Sequence, residues 1–445
     1  MRVKATTRCQ TVEVTADGEG LVSHAGAVLL VELADRSGLT AALSGVLAGT
    51  RERRSVHGPG RVLRDVAVML ADGGDCVTDM AAFDGQERLF GARSSETTTH
   101  RVLKSVDERL LDRIRTARAQ ARAWVWDAGA RPETITLNID ATLLTSHSEK
   151  EQARGNYKGG YGFHPLNCYL DETGEALAAV LRPGNAGSNT ADDHFTVLQL
   201  ALAQLPAEDL GGEILVRTDI GGCTHAFTQD CRDAGIRFSV GYELGDSARA
   251  AILKVKETAW LQAIDADGAD RDGAWVAELT EHLDLSAWVE GSRLICRRER
   301  PHPGAQFTIF DEHGYRYTCF LTDQDDDDIA KLELRHRGRA RVEDSIRAGK
   351  DTGMRNLPHH AFAHNQTWLE LSLIAQDLLC WMKLICLDGP LAKAEPKRLR
   401  QRLLHVAAKL VRHGRRTRLK LDRDWPWSQA LAAAFVRLRT IPALC

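Results

Sequence analysis

The run TITLNIDATLL (134–144) is β-branched and apolar enough for a buried strand, yet Asp140 stands in its middle. An ionised carboxylate in such a place costs several kcal/mol unless it is paired or binds a cation. GGEILVRTDIGG (211–222) repeats the anomaly: a second apolar strand ends in Asp219, where the chain turns at Gly221-Gly222. Acids at strand ends of an α/β sheet often converge on one site. The plainer alternative makes each one cap a turn or pair with a basic neighbour such as Arg217. Around these two runs, HPLNCYLD, ALAAVLRPG and IRFSVGYEL (236–244) read as further strands, and Thr190 to Leu205 and Thr224 to Ala234 as helices. Three consecutive strands followed by alternating helix and strand predict a mixed α/β sheet.

The first 130 residues read as mainly helical after a short extended lead, with apolar clusters at Ala25–Leu47 and Val62–Leu70. Ser94-Ser95-Glu96-Thr97 is an N-cap run before one long helical pattern through Leu103, Leu110, Ile114 and Trp124. Its start exposes His100, Arg101 and Lys104, which suits a DNA-reading helix of helix-turn-helix type or an ordinary solvated helix start. From about Arg249 to Thr322 the pattern changes to short strand-like pieces with Trp260, Trp275 and Trp288. QFTIFDEHGYRYTCFLT (306–322) there reads as a hairpin turning near His313-Gly314. The acidic run Asp325–Asp328 reads as a solvated linker, and a helical pattern follows it. Beyond Gly389 the chain is strongly basic, from Lys393 through Arg402, Lys409, Arg412, Arg416 and Arg418 to Lys420, and reads as a helical region.

A net charge of −3 argues against a uniformly basic nucleic-acid binder, but this basic segment is enough for a local phosphate-binding surface. The ten cysteines contain no CxxC pair, so neither a zinc site nor a disulfide framework is indicated. His359, His360 and His364 imitate a zinc pattern without a partner thiol or HExxH. No run is apolar enough to cross a bilayer, and the start MRVKATTRCQTVEV lacks the apolar core of a signal peptide. The expected location is the cytoplasm.

HRGRARVEDSIRAGK sharpens the reading of the two acids. It places His336, Arg339, Glu343 and Lys350 at spacings of three, four and seven, which stack on one face of a helix. A carboxylate between cations suits an acid that holds metal while bases hold surrounding phosphates. Asp344, about 100° around the helix, is turned away from that face. The pattern resembles the Tyr-x2-Arg-x3-Glu-x6-Lys signature of DDE transposases of the cut-and-paste insertion sequences. Arg339, Glu343 and Lys350 match, and His336 stands where the family has Tyr. NIDAT and VRTDIGG are similar to the strands bearing the family's first and second acids. RGNYKGGYGFHPL, RPGNAGSN and DTGMRNLPHHAFAHNQTWLELSLIAQDLL look like the branch named for insertion sequence thirteen-eighty.

The resemblance implies an α/β, RNase H-like mixed-sheet core in two parts, 131–248 and 326–388. A β-rich insertion (249–325) interrupts it, a helical DNA-binding domain (1–130) precedes it and a basic helical region (389–445) follows. It implies Asp140, Asp219 and Glu343 as the catalytic acids, holding Mg²⁺ with Mn²⁺ as substitute. The partners it implies are the terminal inverted repeats, target DNA and a second copy of the chain, with no membrane. The DNA-contact candidates are His336, Arg339, Arg347 and Lys350, with Lys158 and Tyr161 of the KGGYG loop. Trp288 is the candidate to stack on a flipped base, as hairpin-forming relatives do. A nuclease without transfer activity and an inactive, domesticated DNA-binding descendant are the rival readings. His194, at a helix start, approaches the metals in one reading and belongs to the helix terminus in the other.

Overall fold

The computed structural model describes residues 14–51, 55–188, 190–301, 314–414 and 416–444. A short strand, β1 (Leu21–Val22), leads into helices α1 (Ala27–Arg36), α2 (Leu39–Val46) and α3 (Pro59–Asp72). The short α4 (Glu87–Phe90) precedes α5 (Glu96–Lys104) and α6 (Glu108–Val125). The long helix expected from Ser94 onward is therefore two. Ser95 caps the first, and Asp107 accepts the Leu110 N–H at 2.8 Å to start the second. A carboxylate at an N-cap competes with helix continuation, and the apolar spacing alone hid that break.

Asp140 lies on β2 (Ile135–Ala141). After β2 the chain forms a small sheet, β3 (Leu144–Thr145), β4 (Arg154–Gly155) and β5 (Tyr161–Phe163), in the order β3-β5-β4. It then makes β6 (Leu166–Leu170), β7 (Ala176–Val180), α7 (Ala191–Leu202), β8 (Ile214–Thr218), α8 (His225–Asp233), β9 (Arg237–Tyr242) and α9 (Asp246–Lys254). β6 runs antiparallel to β2 and β7 to β6, whereas β8 is parallel to β2 and β9 to β8. Leu137 and Ile139 of β2 face one core with Val197 and Leu198 of α7 and Phe227 of α8. By the two-residue period of a strand, Asn138 and Asp140 face the opposite side.

Strands β10 (Leu261–Ile264), β11 (Asp270–Glu278), β12 (Arg293–Glu299) and β13 (Arg316–Thr322) continue the same sheet. Its order among the described residues is β10-β11-β12-β13-β9-β8-β2-β6-β7. β13 lies antiparallel to β9, with Thr322 opposite Ser239, so the β-rich segment covers what would otherwise be an open sheet edge. The expected 306–322 hairpin is described only in its second arm, which is β13. Its turn and first arm overlap 302–313, outside the described residues, and β13 pairs with β12. Trp260 and Trp275 hold the Arg298 guanidinium at 4.4 and 5.1 Å from their ring centroids. Asp325–Asp328 forms the loop into α10 (Ile329–Arg337), with Asp328 capping the helix.

α11 (Arg341–Gly349) follows α10 after one tight turn, and the long α12 (Phe362–Cys386) follows that. α12 is buried along most of its length and shares one core with α1, α3 and α6. The last region corrects the expectation of a helical tail. After the short α13 (Gly389–Ala392) and α14 (Pro396–Leu399) come β14 (Ala408–His413) and β15 (Arg416–Leu421), a hairpin that β1 joins. Only then does α15 (Ser428–Thr440) close the chain. Arg-Thr-Arg-Leu-Lys-Leu alternates at the strand period, and Gly414 takes the left-handed turn conformation at φ +59°. The density of basic residues masked that alternation.

Candidate active site

Strand register brings the first two acids together. Ile139 of β2 pairs in parallel with Thr218 of β8, so the next residues along, Asp140 and Asp219, leave neighbouring strands side by side. Asp219 then caps the turn that follows, accepting the Gly221 N–H at 2.9 Å. A β-carbon on Gly222 would lie 2.3 Å from the Thr218 hydroxyl, so only glycine lets the chain turn this sharply behind the acid. Arg217 does not neutralise either acid. Its guanidinium is committed to Asn138 (2.8 Å), Asp171 (2.9 Å) and the Arg335 carbonyl.

α11 supplies the third acid from the face of the sheet to which Asp140 points. Glu343 is exposed at the start of this helix, and Asp344 beside it turns outward to pair with Arg347 at 2.7 Å. Burial, then the negative charge of Asp219, push the Asp140 carboxyl up to about 6, and Glu343 adds to the rise. Arg339 opposes it from 3.8 Å. The oxygens of the three acids do not all lie within 4.8 Å of one another. Three oxygen donors without His or Cys, one of them half-buried against like charges, fit a hard divalent cation such as Mg²⁺.

The rest of the helical stripe divides. Lys350 donates to the carbonyl of Leu143, just past β2, at 3.2 Å, and feels the charge of Lys158 from the small sheet. His336 instead turns into the fold: its ring stacks on Phe320 at 4.3 Å and Nδ1 bonds the Ser239 hydroxyl at 2.9 Å. Burial, with Arg339 and Arg217 nearby, lowers its pKa to about 3. The ring is neutral and packed, which corrects its candidacy as a phosphate contact. Arg347 is likewise occupied, held between Asp344 and Glu395 at 2.7 and 3.3 Å. The break between α10 and α11 rotates His336 off the face that an unbroken helix would share.

Trp288, from the β-rich segment, returns to the same neighbourhood. Its ring lies 4.0 Å from His225 at the start of α8, six residues past Asp219, and 5.9 Å from Tyr242. Lys158 and Tyr161 stand exposed on the loop and first residue of β5. His194 is buried, its Nδ1 donating to the Thr190 carbonyl at 2.8 Å, and it lies within the field of Asp219. His164, which no sequence pattern singled out, does the same with the Ala186 carbonyl at 3.2 Å. Burial lowers the pKa of both rings. Only the packing of the β5–β6 and β7–α7 connections brings His164 near this acid. His359 and His364 meet at 5.9 Å beside His100, in a groove lined also by Arg101 and Lys104.

A second cationic surface lies on the C-terminal hairpin. Lys409 faces Lys420, Val411 faces Arg418 and His413 faces Arg416 across the two strands, all on one side of the ribbon. Among the described residues Lys409, Arg416, Arg418 and Lys420 have no ion-pair partner. Like charges directly opposite destabilise a hairpin, so this face favours an anionic partner.

An all-carboxylate site built by two adjacent parallel strands and a helix offers the oxygen donor set that a hard divalent cation takes. Residues 4–443 match the family described as transposase DDE domain group 1, and the chain belongs to that family. No protein of curated function matches its sequence. Among solved structures, the cryo-EM structure of the piggyBac transposase synaptic complex with hairpin DNA is similar at a TM-score of 0.44. The two chains are 10% identical, and the match covers 85% of this chain and 80% of that one.

Proposed function

We propose that this chain is the transposase of a cut-and-paste insertion sequence of the thirteen-eighty branch. It binds the terminal inverted repeats of its element, cuts them and joins the 3′ ends to target DNA. The observation that carries the reading is the convergence of Asp219, Glu343 and Arg339 on the half-buried Asp140. The strand order β7-β6-β2-β8-β9, with β8 and β9 parallel to β2, supports an RNase H-like core split at 131–248 and 326–388. On this reading 1–130 is a DNA-binding domain, 249–325 an insertion and 389–445 a basic terminal region, now with a hairpin in it. A homodimer is the expected assembly, since two ends must be held together, and the protein works in the cytoplasm.

Asp140, Asp219 and Glu343 would hold Mg²⁺, or Mn²⁺ in its place, which when bound supplies charge for an in-line phosphoryl displacement. The chain's own contribution is positional. Arg339 and Lys350 flank the acids, where they would hold the scissile phosphate, and Lys158 and Tyr161 extend that surface. Misplacing the phosphate by ~1 Å costs roughly a hundredfold in rate, so the packing behind these side chains matters as much as their charge. Trp288 stands where a displaced base would stack, in exchange for His225. The free cations of the hairpin face would add backbone contacts without reading sequence.

Retention of all three acids around one point disfavours an inactive, domesticated descendant. The test is single-turnover cleavage of inverted-repeat DNA in Mg²⁺ by the Asp219→Ala chain. Cleavage should be lost while end binding persists. Wild-type cutting by that variant would remove the acid assignment, and with it the reading.

A further inference from the structure

We propose that His24, Asp72 and His405 form a second, separate metal site, which takes one divalent transition-metal ion of the zinc type. Asp72 is the buried last residue of α3. Its Oδ2 lies 2.5 Å from His24 Nδ1, and its Oδ1 lies 3.3 Å from His405 Nε2. The two imidazoles lie 4.3 Å apart between ring centroids, tilted by 48°, and one donor from each residue falls within a 4.8 Å cluster. Donors of a tetrahedral zinc site stand about 3.3–3.6 Å apart, given bonds of roughly 2.0–2.2 Å. The His405 Nε2–Asp72 Oδ1 spacing already matches, and the His24 Nδ1–Asp72 Oδ2 contact has to open by about 1 Å.

Two further observations point to a missing ligand. Asp72 Oδ1 is buried with no well-formed hydrogen bond: the ring nearest it, His405 at 3.3 Å, donates its Nε2–H to the Asp72 backbone carbonyl at 2.9 Å instead. His24 holds φ +52°, a left-handed conformation that a residue with a β-carbon adopts only where its surroundings impose it. Here the surroundings are the C-terminal segment: Ala25 donates to the Val406 carbonyl and Gly26 to the Leu404 carbonyl, both at 3.1 Å. The strain aims the His24 ring at Asp72. His24 and His405 remain 27% and 38% exposed, which leaves ion entry and a fourth position open to water.

Two imidazoles and one carboxylate select zinc or its neighbours over Mg²⁺. The nearby Asp75, Cys76 and Asp79 also cluster, but Asp79 is spent capping a turn through the Asp75 and Cys76 N–H groups. His405 precedes β14 by three residues, and β14 pairs with β1. A bound ion would therefore staple α3 to both strands at the base of the cationic hairpin. The inference stands apart from the transposase reading, since none of its three ligands belongs to the acid site.

The experiment titrates Zn²⁺ into the chelator-stripped full chain by calorimetry, in an Asp140→Asn/Asp219→Asn background that removes the acid site as a competitor. One Zn²⁺ per chain should bind and raise the melting temperature. Outer-shell changes at metal sites already cost about 10–100-fold in affinity, so losing a ligand in Asp72→Asn or His405→Gln should cost at least roughly a hundredfold. Cys76→Ser should bind as the parent does. If Asp72→Asn does not fold, the half-exposed His405→Gln carries the test. No zinc binding by the parent, or equal binding and equal thermal gain in His405→Gln, would overturn the proposal.

Discussion

Burial pushes the carboxyls of Asp377 and Asp140 alike up to about 6, yet the two keep opposite company. Asp377, on α12, receives Arg122 at 2.5 Å, with Arg118 beyond it at 3.9 Å, and accepts the Ala176 N–H at 3.0 Å. Around it Arg122 also bonds Glu175 at 2.9 Å, Trp126 and Trp381 donate their indole N–H to Glu175, and Arg118 and Arg115 share Glu370. Charge there closes on itself, locking α6, β7 and α12 into one body. Asp140 meets two more acids and a single arginine at 3.8 Å. A buried charge set that balances is architecture. The half-buried acid set does not balance and keeps an excess of negative charge, a difference that separates the two without appeal to any motif.

The comparison breaks first at Arg122. Arg122→Met leaves Glu175 and Asp377 buried without their shared cation, and removing one partner of such a pair costs about 3–5 kcal/mol. Urea unfolding at neutral pH checks this. A loss below ~1 kcal/mol would mean that the network is not closed as described.

Asp140→Asn should act in the opposite sense and more gently. Between the ordinary value of 3.8 and about 6 the folded chain binds protons that the unfolded chain has released. Stability therefore falls as pH rises through that window, and the penalty is complete above it. The amide should stabilise the metal-free chain by roughly 1–3 kcal/mol at pH 8, with the gain vanishing below about pH 4. Mg²⁺ should raise the melting temperature of the wild type and not of the variant. A gain that does not depend on pH would mean the acid cluster carries no excess charge.

The smallest effect falls on the hairpin, whose unpaired cations resemble the acid cluster with the sign reversed. Lys420→Gln relieves the rung with Lys409 and should stabilise the free chain by no more than ~0.5 kcal/mol. The same change should lower the slope of log affinity for DNA against log salt by about one unit, for all sequences equally. An unchanged slope would make this face ordinary solvated surface.

Much of the sheet was legible because strand periodicity needs only a short window. TITLNIDATLL and EILVRT each announce a buried strand, and an aspartate in such company is anomalous on desolvation grounds alone. Asp107 shows the limit of periodicity: a cap can end a helix while the apolar spacing runs on through it. The basic tail shows another, since arginine and lysine conceal an alternation that only Ala408, Leu410, Leu419 and Leu421 carry.

By itself, then, the sequence determined which residues are costly to bury and at what spacing: Asp140, Asp219, and Glu343 between Arg339 and Lys350. Those are properties of windows a few residues long, set by solvation and by the helix and strand periods. Only the tertiary structure decided what each one meets. It turned His336 onto Phe320, tied Arg347 to Glu395, and brought His24, Asp72 and His405 together from 48 and 333 residues apart along the chain. Such contacts follow from how whole elements pack and have no local period, so no window of sequence contains them.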